Sequence, residues 1–153
     1  MRRKEREIKS KKEMEGIIQE AIICRLGLSV NDQPYIVPLN FGYENNELHF
    51  HCAIGGKKME MIRKNNNVCF EIETDTKLIK GEHACVGWTM HYSSVIGFGK
   101  AFLIDEPDEK KRSLDIIMKQ YTGKSEFEYT EKNLRGVGII KVVIENMTGK
   151  KNG

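Results

Sequence analysis

Two glycines and two lysines follow a predicted strand and suggest a site for an anion. The strand-like segment LHFHC ends at Cys52, and the chain then turns through AIGG. The spacing of Met59 and Ile62 predicts a short helix that begins near Lys57. Free N–H groups at the start of a helix and two ammonium groups would converge there, and such an arrangement binds phosphate. The spacing is not that of a P-loop, and two solvated lysines after a turn also fit the pattern.

Two histidines lie on the predicted strand before this turn. His49 and His51 are two residues apart, so their side chains share one face of the strand. They could supply two metal ligands, with His83, Cys85 or His91 as a third. A lone pair of this spacing is more often part of a polar outer face, and we predict no metal site. Because His51 is closer to the turn, we expect it to lie nearer a bound ligand and His49 nearer solvent.

Hydrophobic periodicity predicts the elements that must position these residues. Ser10 and Glu13 form a capping box before apolar residues at helical spacing, which predicts a helix within residues 10–21. Pro107 begins another helix, whose apolar stripe is Leu114, Ile117, Met118 and Tyr121. Period-two patterns predict strands over residues 23–29, 34–43, 48–52, 67–73, 93–104 and 137–146.

Several residues are expected to interrupt these regular elements. Residues 74–92 have no clear period and contain the only tryptophan, Trp88, so we predict a long functional connection there. Gly97 and Gly99 permit a bend or the close approach of another backbone. Pro38 is expected to break the ladder of its strand and to leave backbone groups free for a ligand.

The order of the predicted elements indicates the fold class. Six strands with helices between and around them predict a mainly β fold with flanking helices, in the form of a six-stranded antiparallel β-barrel of Greek-key type. There is no βαβ alternation that would favour a parallel sheet. At 153 residues the chain is long enough for one core and too short for two, so we predict a single domain over residues 1–153.

Composition and charge exclude several classes of protein. The chain has no apolar run long enough to span a membrane, and its N-terminus lacks the apolar segment of a signal peptide, so we expect a cytoplasmic protein with no membrane partner. Residues 1–9 form a basic N-terminal arm. Because the whole chain has a net charge of only +3, the remaining body is not basic, and we expect no nucleic-acid partner.

Cysteine spacing and the missing catalytic motifs narrow the chemistry further. The four cysteines include no C-x-x-C pair, which indicates reduced thiols that pack in the core and argues against a zinc ribbon. G-x-S-x-G, H-E-x-x-H and G-x-x-x-x-G-K-[ST] do not occur, and GFGKAF lacks the third glycine of a dinucleotide fingerprint. The sequence therefore shows no side-chain machinery for hydrolysis or nucleotide cleavage.

Four segments carry a resemblance to a known family. They read CRLGLSVNDQPYIVPLNFGY, LHFHCAIGGKKMEMIRKNNNVCFEIE, SSVIGFGKA and NMTGKK, and they follow in order along almost the whole chain. They resemble the pyridoxamine 5′-phosphate oxidase-like FMN-binding split barrels, in particular the nitroimidazole-resistance branch. The resemblance implies a homodimer of six-stranded split barrels with two FMN molecules at the subunit interface.

The resemblance also implies which residues hold the flavin. The positions that match the lining of the isoalloxazine edge are Val37, Pro38, Leu39 and Asn40. Those that approach the ribityl chain and ring are His51 and Cys52, and those that hold the phosphate are Gly56, Lys57 and Lys58. The position that contributes a further polar group to the flavin is Ser94.

Two departures from the family pattern bear on the activity. Oxidases of pyridoxamine phosphate carry an arginine where this chain has Lys57, and they have an arginine-containing C-terminal segment where this chain ends in MTGKKNG. The resemblance therefore implies reduction of a nitro group, or of a related small electron acceptor, rather than synthesis of pyridoxal phosphate. NADH or NADPH would supply the electrons through FMN. FMN is the expected flavin, since nothing in the sequence suggests an adenylate pocket for FAD.

Single residues are assigned roles within this interpretation. His51 is expected to be catalytic, because an imidazole can donate a proton to a reduced nitro or carbonyl oxygen near neutral pH. Trp88 and Tyr92 are expected in the subunit interface or in a lid. Arg2 and Arg3 are candidates to reach the cofactor of the partner subunit.

Two alternatives stay open beside the FMN-dependent reductase. A haem-handling split barrel would need an axial histidine at an exposed position, for which His83 and His91 are the candidates. A flavin-binding protein without turnover, such as a sensor or store, would need the same cofactor site and no acceptor. The colour of the protein separates flavin from haem, and anaerobic mixing with NADH or NADPH separates a reductase from a store.

Overall fold

The computed structural model describes residues 3–153 and arranges them as one antiparallel sheet with helices on its outside. The strands are β1 (Glu7–Ile8), β2 (Cys24–Val30), β3 (Gln33–Leu39), β4 (Gly42–Glu44), β5 (Glu47–Cys52), β6 (Asn67–Ile79), β7 (Thr89–Ile104) and β8 (Gly138–Asn152). The helices are α1 (Lys11–Glu20), α2 (Lys57–Lys64), α3 (Pro107–Thr122) and α4 (Glu131–Gly136), and a single 3-10 turn spans Lys4–Arg6. Of the two arginines expected to reach a partner's cofactor, Arg2 lies outside the described residues.

The sheet is not closed by hydrogen bonds, but the chain joins its two ends directly. Its hydrogen-bonded order is β3-β2-β6-β7-β8-β5-β4, with β1 added beside β8. β3 and β4 therefore lie at opposite ends of the path, yet only Asn40 and Phe41 separate them in the chain. The chain leaves the ladder with β2 after Leu39 and enters the ladder with β5 at Gly42. We call Asn40–Phe41 the strand switch.

The strand switch corrects the predicted number of strands. The sequence predicted one strand over residues 34–43, but these residues divide into β3 and β4, which have different partners. With the two-residue β1, the described sheet contains eight strands, and the prediction of six was wrong. The mainly β fold with flanking helices is confirmed. Hydrophobic alternation continues through the switch, so it could not reveal the change of partner.

The β2–β3 hairpin determines which backbone groups of β3 are free. Its turn is Asn31-Asp32, with φ of 51° and 60°, which is typical of a type I′ turn closed by a hydrogen-bonded pair. Pairing is continuous from Val30↔Gln33 to Cys24↔Leu39, so the expected break at Pro38 is wrong. Because hydrogen-bonded and non-hydrogen-bonded pairs alternate, residues 34, 36 and 38 direct their backbone groups away from β2.

The core lies inside the rolled sheet. Alternate residues of the long strands point inward and are almost fully buried; the largest are Leu26, Leu48, Phe50, Phe70, Ile72, Val95, Ile140 and Val142. The ring of Phe70 packs on Gly97, where an added Cβ would lie 2.3 Å from the Phe70 Cζ. The prediction was a bend or the close approach of another backbone; at Gly97 the nearest approach is by a side chain. α1 adds Ile17 and Ile18 to the same core.

Residues 74–92 form a two-stranded arm instead of an irregular connection. β6 and β7 remain paired beyond the barrel, through Lys77↔His91 and Ile79↔Thr89, after a register shift at Thr74/Lys77. Only the tip, residues 80–88, lies outside the two strands. Within the described residues the arm is contacted at its base by the end of β8, where Asn152 bonds Thr89 and Met90.

The helices pack against the sheet, and α1 and α2 also contribute residues to the core. Ser10 caps α1 by accepting a hydrogen bond from the Glu13 N–H, as the sequence predicted. α3 rests on β4 so closely that a Cβ on Gly42 would lie 2.6 Å from the backbone of Ile116. α4, which the sequence did not predict, has a capping box from Thr130 and Asn133. Within residues 3–153 no helix is long and apolar enough to cross a membrane.

The outer face of β7 is apolar and uncovered. Ile96, Phe98 and Phe102 alternate along it and are 44%, 51% and 44% exposed. On the arm that continues this face, Leu78, Trp88 and Met90 are also exposed. A row of this kind is uncommon on a monomeric protein and is typical of an interaction surface.

Candidate functional site

Two side-chain contacts join β3 to the segment that runs from β5 into α2. At one end of β3, the Asn40 amide nitrogen lies 3.0 Å from Nε2 of His51. Near the other end, the Lys57 ammonium lies over the Tyr35 ring, 4.4 Å from its centroid. From Tyr35 to Asn40 the strand rises by about 17 Å. We call the space between these two contacts the β3–α2 gap.

The backbone of β3 lines one side of this gap. β3 has β2 as its single ladder partner in the described sheet, so its other edge is free. That edge presents the carbonyl groups of Pro34, Ile36 and Pro38 but only the N–H of Ile36, because proline has no amide hydrogen. The edge is therefore rich in acceptors and suits a ligand with hydroxyl or N–H donors. The two prolines also discourage the addition of another strand.

The start of α2 lines the other side. Gly56 precedes the helix with φ 107° and ψ 173°, a conformation that only glycine adopts readily. No side chain caps the helix, so its first N–H groups are available. Space is open around Gly55 and Gly56. The side chain of Lys57 is exposed, and that of Lys58 is half-buried. These features fit a phosphate group, which needs N–H donors and cations in one place.

Cys52 lies beside this helix end. Its Sγ is 3.7 Å from the Met59 Sδ, and the side chain is half-buried. Burial raises the pKa of the Cys52 thiol, and the positive charge of Lys58 partly offsets this effect. At neutral pH the thiol is protonated, so Cys52 provides packing and not a nucleophile.

The four predicted residues of the isoalloxazine edge divide between two faces. Val37 and Leu39 are half-buried and pack against the core, whereas Pro38 and Asn40 are exposed. Side chains on the outer face of β3 near the gap are thus supplied by Pro38 and Asn40. Val37 and Leu39 direct their backbone groups toward β2, so they contribute neither side chains to the outer face nor backbone groups to the free edge.

Within a single chain, the fold does not place Ser94 near this site. Its Oγ donates to the Lys150 carbonyl at 3.4 Å, next to the arm. His51 pairs with Ile139, which pairs with Ile104 at the opposite end of β7. The ten residues from Ser94 to Ile104 correspond to about 30 Å of strand. Within one chain, Ser94 is therefore remote from the other predicted site residues.

His49 is placed differently from the prediction. It is only 1% exposed, beneath α3, with Nδ1 3.0 Å from the Ser113 Oγ. The expectation that His49 lies nearer solvent is wrong, because α3 covers this part of β5. Burial, with the charges of Arg112 and Lys141, lowers the pKa of His49 from 6.5 to about 4. Its Nε2 has no hydrogen-bond partner within the described residues, although the Glu47 Oε2 lies 3.5 Å away.

The remaining histidines lie on or near the arm. His83 is exposed at the tip of the arm, close to the exposed thiol of Cys85. His91 lies at the base of the arm, paired with Lys77. Trp88 is 44% exposed. In the part of the chain that the structure describes, no three His, Cys, Asp or Glu side chains lie close enough to hold a metal ion.

The sequence did not single out two hydroxyl groups of α3. Ser113 contacts His49, and the Tyr121 hydroxyl reaches the backbone of the strand switch. Tyr121 was predicted only as part of the apolar stripe of α3. The only sequence signal for this contact is a tyrosine where the apolar stripe could have a phenylalanine or leucine. The residue type indicates that the hydroxyl has a polar partner, but it does not indicate which residue that partner is.

Two cavities of the described chain lie away from the β3–α2 gap. One of about 460 Å³ lies between α1, the β4–β5 turn and α3, and is lined by Glu15, Tyr43 and Lys119 among others. Another, of about 470 Å³, lies between the end of α2 and β7 at Phe102 and Leu103. The residues that line these two cavities do not include Tyr35, Asn40, His51 or Lys57, whose contacts bound the β3–α2 gap.

Comparison with known proteins identifies relatives of the whole chain. A profile of the pyridoxamine 5′-phosphate oxidase family matches residues 10–151. The crystal structure of a candidate 5-nitroimidazole antibiotic resistance protein from Bacteroides thetaiotaomicron is 39% identical, with a TM-score of 0.82 over 94% of this chain and 85% of that chain.

Two further relatives are more distant. The FAD and haem binding protein from Mycobacterium smegmatis has a TM-score of 0.83 at 17% identity, and the match covers 96% of this chain and 73% of that chain. At this identity the match shows a common fold alone. An uncharacterized protein from Rhizobium meliloti is 31% identical over 65 residues, and this match spans 42% of each chain.

Proposed function

The chain belongs to the pyridoxamine 5′-phosphate oxidase family, and we propose that it is an FMN-dependent reductase of small electron acceptors such as nitroaromatic compounds. The observation that carries this proposal is the β3–α2 gap. A free, acceptor-rich strand edge lies along one side, and an uncapped helix start with two lysines lies at one end. An elongated ligand with hydroxyl groups and a terminal phosphate is complementary to this arrangement.

The nitroaromatic substrate class is supported by the relative from Bacteroides thetaiotaomicron. That protein is described as a candidate 5-nitroimidazole antibiotic resistance protein, and 39% of its aligned residues are identical to this chain. The electron donor is proposed to be NADH or NADPH. A flavin performs the hydride step itself, so this proposal requires no acid–base pair dedicated to hydride transfer.

FMN, and not FAD, is the proposed cofactor because the gap ends in a phosphate site. Gly56, Lys57 and Lys58 would hold the terminal phosphate, and the edge of β3 would receive the ribityl hydroxyl groups. When bound, the flavin would supply the hydride chemistry. The residues of the chain bind it, orient it against β3 and supply protons.

His51 is the proposed proton donor. An amide nitrogen can only donate, so the Nε2 of His51 accepts from Asn40, and the proton of the neutral ring lies on Nδ1. Asn40 thus selects one tautomer. To act as an acid, the ring takes up a second proton on Nε2, with the Asn40 amide turned so that its oxygen accepts the new N–H. The imidazolium then gives its Nδ1 proton to the reduced acceptor, and the ring returns to its neutral form.

A two-fold dimer is proposed because it would complete the site. The exposed apolar residues of β7 are centred on Phe98, which lies between Ser94 and Ile104 and one residue from their midpoint. A two-fold axis near Phe98 would lay the Ser94 end of one β7 against the Ile104 end of the other. Since Ile104 lies two strands from His51, Ser94 of the partner subunit would then approach the β3–α2 gap. Pairing of this kind would also cover the open side of the gap.

The proposed function is tested by the effect of two lysines on flavin binding. Charge-assisted hydrogen bonds to phosphate contribute about 1.5–3 kcal/mol each, so Lys57→Ala/Lys58→Ala should weaken FMN binding by about 100-fold or more. Riboflavin, which has no phosphate, should bind both proteins equally. The matched control is Arg63→Ala/Lys64→Ala, which removes two cations from the last turn of the same helix.

Two outcomes would refute this assignment. FMN affinity that is unchanged in the Lys57/Lys58 variant would remove the phosphate site from α2. A Soret band in place of flavin absorbance, in protein purified without added cofactor, would favour the haem alternative. Anaerobic mixing of the flavin-loaded protein with NADH or NADPH, followed by a nitroaromatic acceptor, distinguishes a reductase from a flavin store.

A further inference from the structure

The strand switch leaves a buried N–H group that neither ladder uses. Leu39 is the last residue of β3 paired with β2, and Gly42 is the first residue of β4 paired with β5. Phe41 lies between them and is 0% exposed. A buried backbone N–H without a partner is rare in native proteins, so this group needs an acceptor from elsewhere.

Tyr121 of α3 supplies that acceptor. Its hydroxyl oxygen accepts a hydrogen bond from the Phe41 N–H at 2.8 Å, and the hydroxyl donates to the Ile22 carbonyl at 2.9 Å. The neighbouring Gln120 amide bonds the carbonyls of Ile18, Gln19 and Ala21 at 3.0–3.2 Å. The end of α3 is therefore held against both the end of α1 and the strand switch, and Tyr121 makes the direct connection to the switch.

We propose that Tyr121 is a positioning residue that holds the strand switch so that Asn40 stays in contact with His51. This role rests on the proposed function for its catalytic meaning, because His51 is the proposed proton donor. Tyr121 itself does not touch the β3–α2 gap. It acts through the backbone of Phe41 and the side chain of Asn40.

The geometry of the switch explains how a hydroxyl on one side can orient an amide on the other. The Phe41 ring is buried against Phe50, with ring centroids 6.5 Å apart, whereas Asn40 is exposed. The two residues share one peptide plane. The Phe41 ring and the Tyr121 bond restrain that plane at two points, so the direction of the Asn40 side chain is restrained as well. Without the hydroxyl, the plane is restrained by the ring alone.

The test compares Tyr121→Phe with the native protein by NMR, in the absence of flavin. The substitution keeps the ring and removes only the hydroxyl. We expect the Phe41 amide to exchange with solvent at least about tenfold faster, because its hydrogen bond is lost. We also expect the ¹⁵N shifts of the His51 ring to move, because Nε2 loses a fixed donor and both tautomers become populated.

Asn40→Ala separates the two parts of this connection. It should move the His51 ring signals and leave Phe41 amide exchange unchanged, since the Tyr121 bond is retained. Adding Tyr121→Phe to Asn40→Ala should cause no further change at His51, because the two residues act in series. Additive changes at His51 would contradict the proposal.

Tyr129→Phe is the matched control. The Tyr129 hydroxyl bonds the Asp115 Oδ1 at 2.9 Å, so this substitution also removes a hydroxyl contact of α3, but not one at the switch. It should leave both the Phe41 amide and the His51 ring unchanged. If Tyr121→Phe also leaves the His51 ring unchanged, or if the Phe41 amide is unprotected in the native protein, the proposal is wrong.

The flavin assays keep this proposal separate from the proposed function. If the His51 ring signals change in Tyr121→Phe as described but the protein binds no FMN, the flavin assignment is refuted and Tyr121 remains the residue that positions His51. If the protein binds FMN and reduces acceptors but the His51 ring signals do not change in Tyr121→Phe, only the role of Tyr121 is refuted.

Discussion

His49 and His51 lie two residues apart on β5 and have opposite environments. His51 is half-buried beside the β3–α2 gap with an amide partner, and His49 is enclosed beneath α3 with a hydroxyl partner. The cause is the position of α3, which covers β4 and β5 near Gly42 and leaves the end of β5 open. Substitution of the two residues should therefore have different consequences.

His51→Ala should reduce turnover and spare cofactor binding. If His51 donates a proton to the reduced acceptor, its removal should lower kcat by about 100-fold, which is the usual scale for one general acid. FMN affinity should stay within about tenfold of the native value, because the phosphate site on α2 is intact. The measurement is steady-state reduction of a nitroaromatic or quinone acceptor by NADH or NADPH, alongside flavin titration.

His83→Ala at the tip of the arm is the control for this experiment, since it removes an exposed histidine far along the chain from the gap. Full turnover in His51→Ala would show that His51 has a structural role in β5 and is not the proton donor. The flavin assignment would be unaffected by that result.

His49 should make folding stability depend on pH. Its pKa is lowered from 6.5 to about 4 by burial and by the charges of Arg112 and Lys141. Between these pH values the unfolded chain binds a proton that the folded chain excludes, so stability is fully present above about pH 6.5 and falls as the pH drops toward 4. The full difference corresponds to about 3 kcal/mol.

The measurement is urea unfolding at several pH values between 7 and 4.5. His49→Gln keeps a neutral polar group near Ser113 and removes the titration, so the loss of stability between pH 6.5 and 4.5 should become smaller than in the native protein. An equal pH dependence in the two proteins would assign the effect to other groups.

At the level of elements, the start of α2 depends on the backbone of one glycine. Gly56 has φ 107°, whereas the adjacent Gly55 has no such conformation, and both have open space around them. A side chain at either position would therefore meet no neighbouring atom. The two positions differ in backbone strain alone.

Gly56→Ala should disturb the helix start, and Gly55→Ala should not. Alanine at position 56 is strained, so we expect the free energy of unfolding to fall by about 1–3 kcal/mol, or the turn to change its conformation. Either result should weaken FMN binding, because the first N–H groups of α2 would be redirected. Chemical unfolding and FMN titration of both variants provide the test, and equal behaviour of the two would contradict it.

At the level of the whole molecule, the outer face of β7 is the surface on which the proposed dimer would form. Phe98 is 51% exposed at the centre of an apolar row, and the predicted residue Ser94 is remote from the gap in a single chain. A symmetric dimer would explain both facts. Obligate homodimers bury more than about 2,000 Å² in total, and the row on β7 with the adjoining arm offers a continuous surface for this.

Phe98→Glu should convert the dimer to a monomer. A carboxylate at the centre of an apolar two-fold interface would face its own copy and lose its water. Sedimentation should show twice the chain mass of 17.6 kDa for the native protein and the chain mass for the variant. FMN affinity should fall in the variant, because the site would lose its partner residues.

Phe127→Glu is the control, since Phe127 is also exposed, at 38%, but lies between α3 and α4 and not on the sheet. It should leave the native mass unchanged. A native protein that sediments as a monomer with FMN bound would contradict the dimer and leave Ser94 without a role in the site.

The sequence by itself determined several of the elements. The N-cap at Ser10, the two neighbouring strands now seen as β2 and β3, and the short helix that begins near Lys57 were predicted at the right places. Each depends on residues that are close in the chain, so local patterns contain the information. The family resemblance extended this to the split-barrel class, and the profile match over residues 10–151 confirmed it.

Tertiary structure alone decided how these elements combine. The change of partner at Asn40, the burial of His49 under Ser113 and the reach of Tyr121 to Phe41 join residues that are 64 or more positions apart, or strands at opposite ends of the sheet. Such contacts depend on which surfaces exclude water together, and hydrophobic spacing along one segment does not encode its partner. For the same reason, the remoteness of Ser94 became visible only when the register of β7 with β8 and β5 was known.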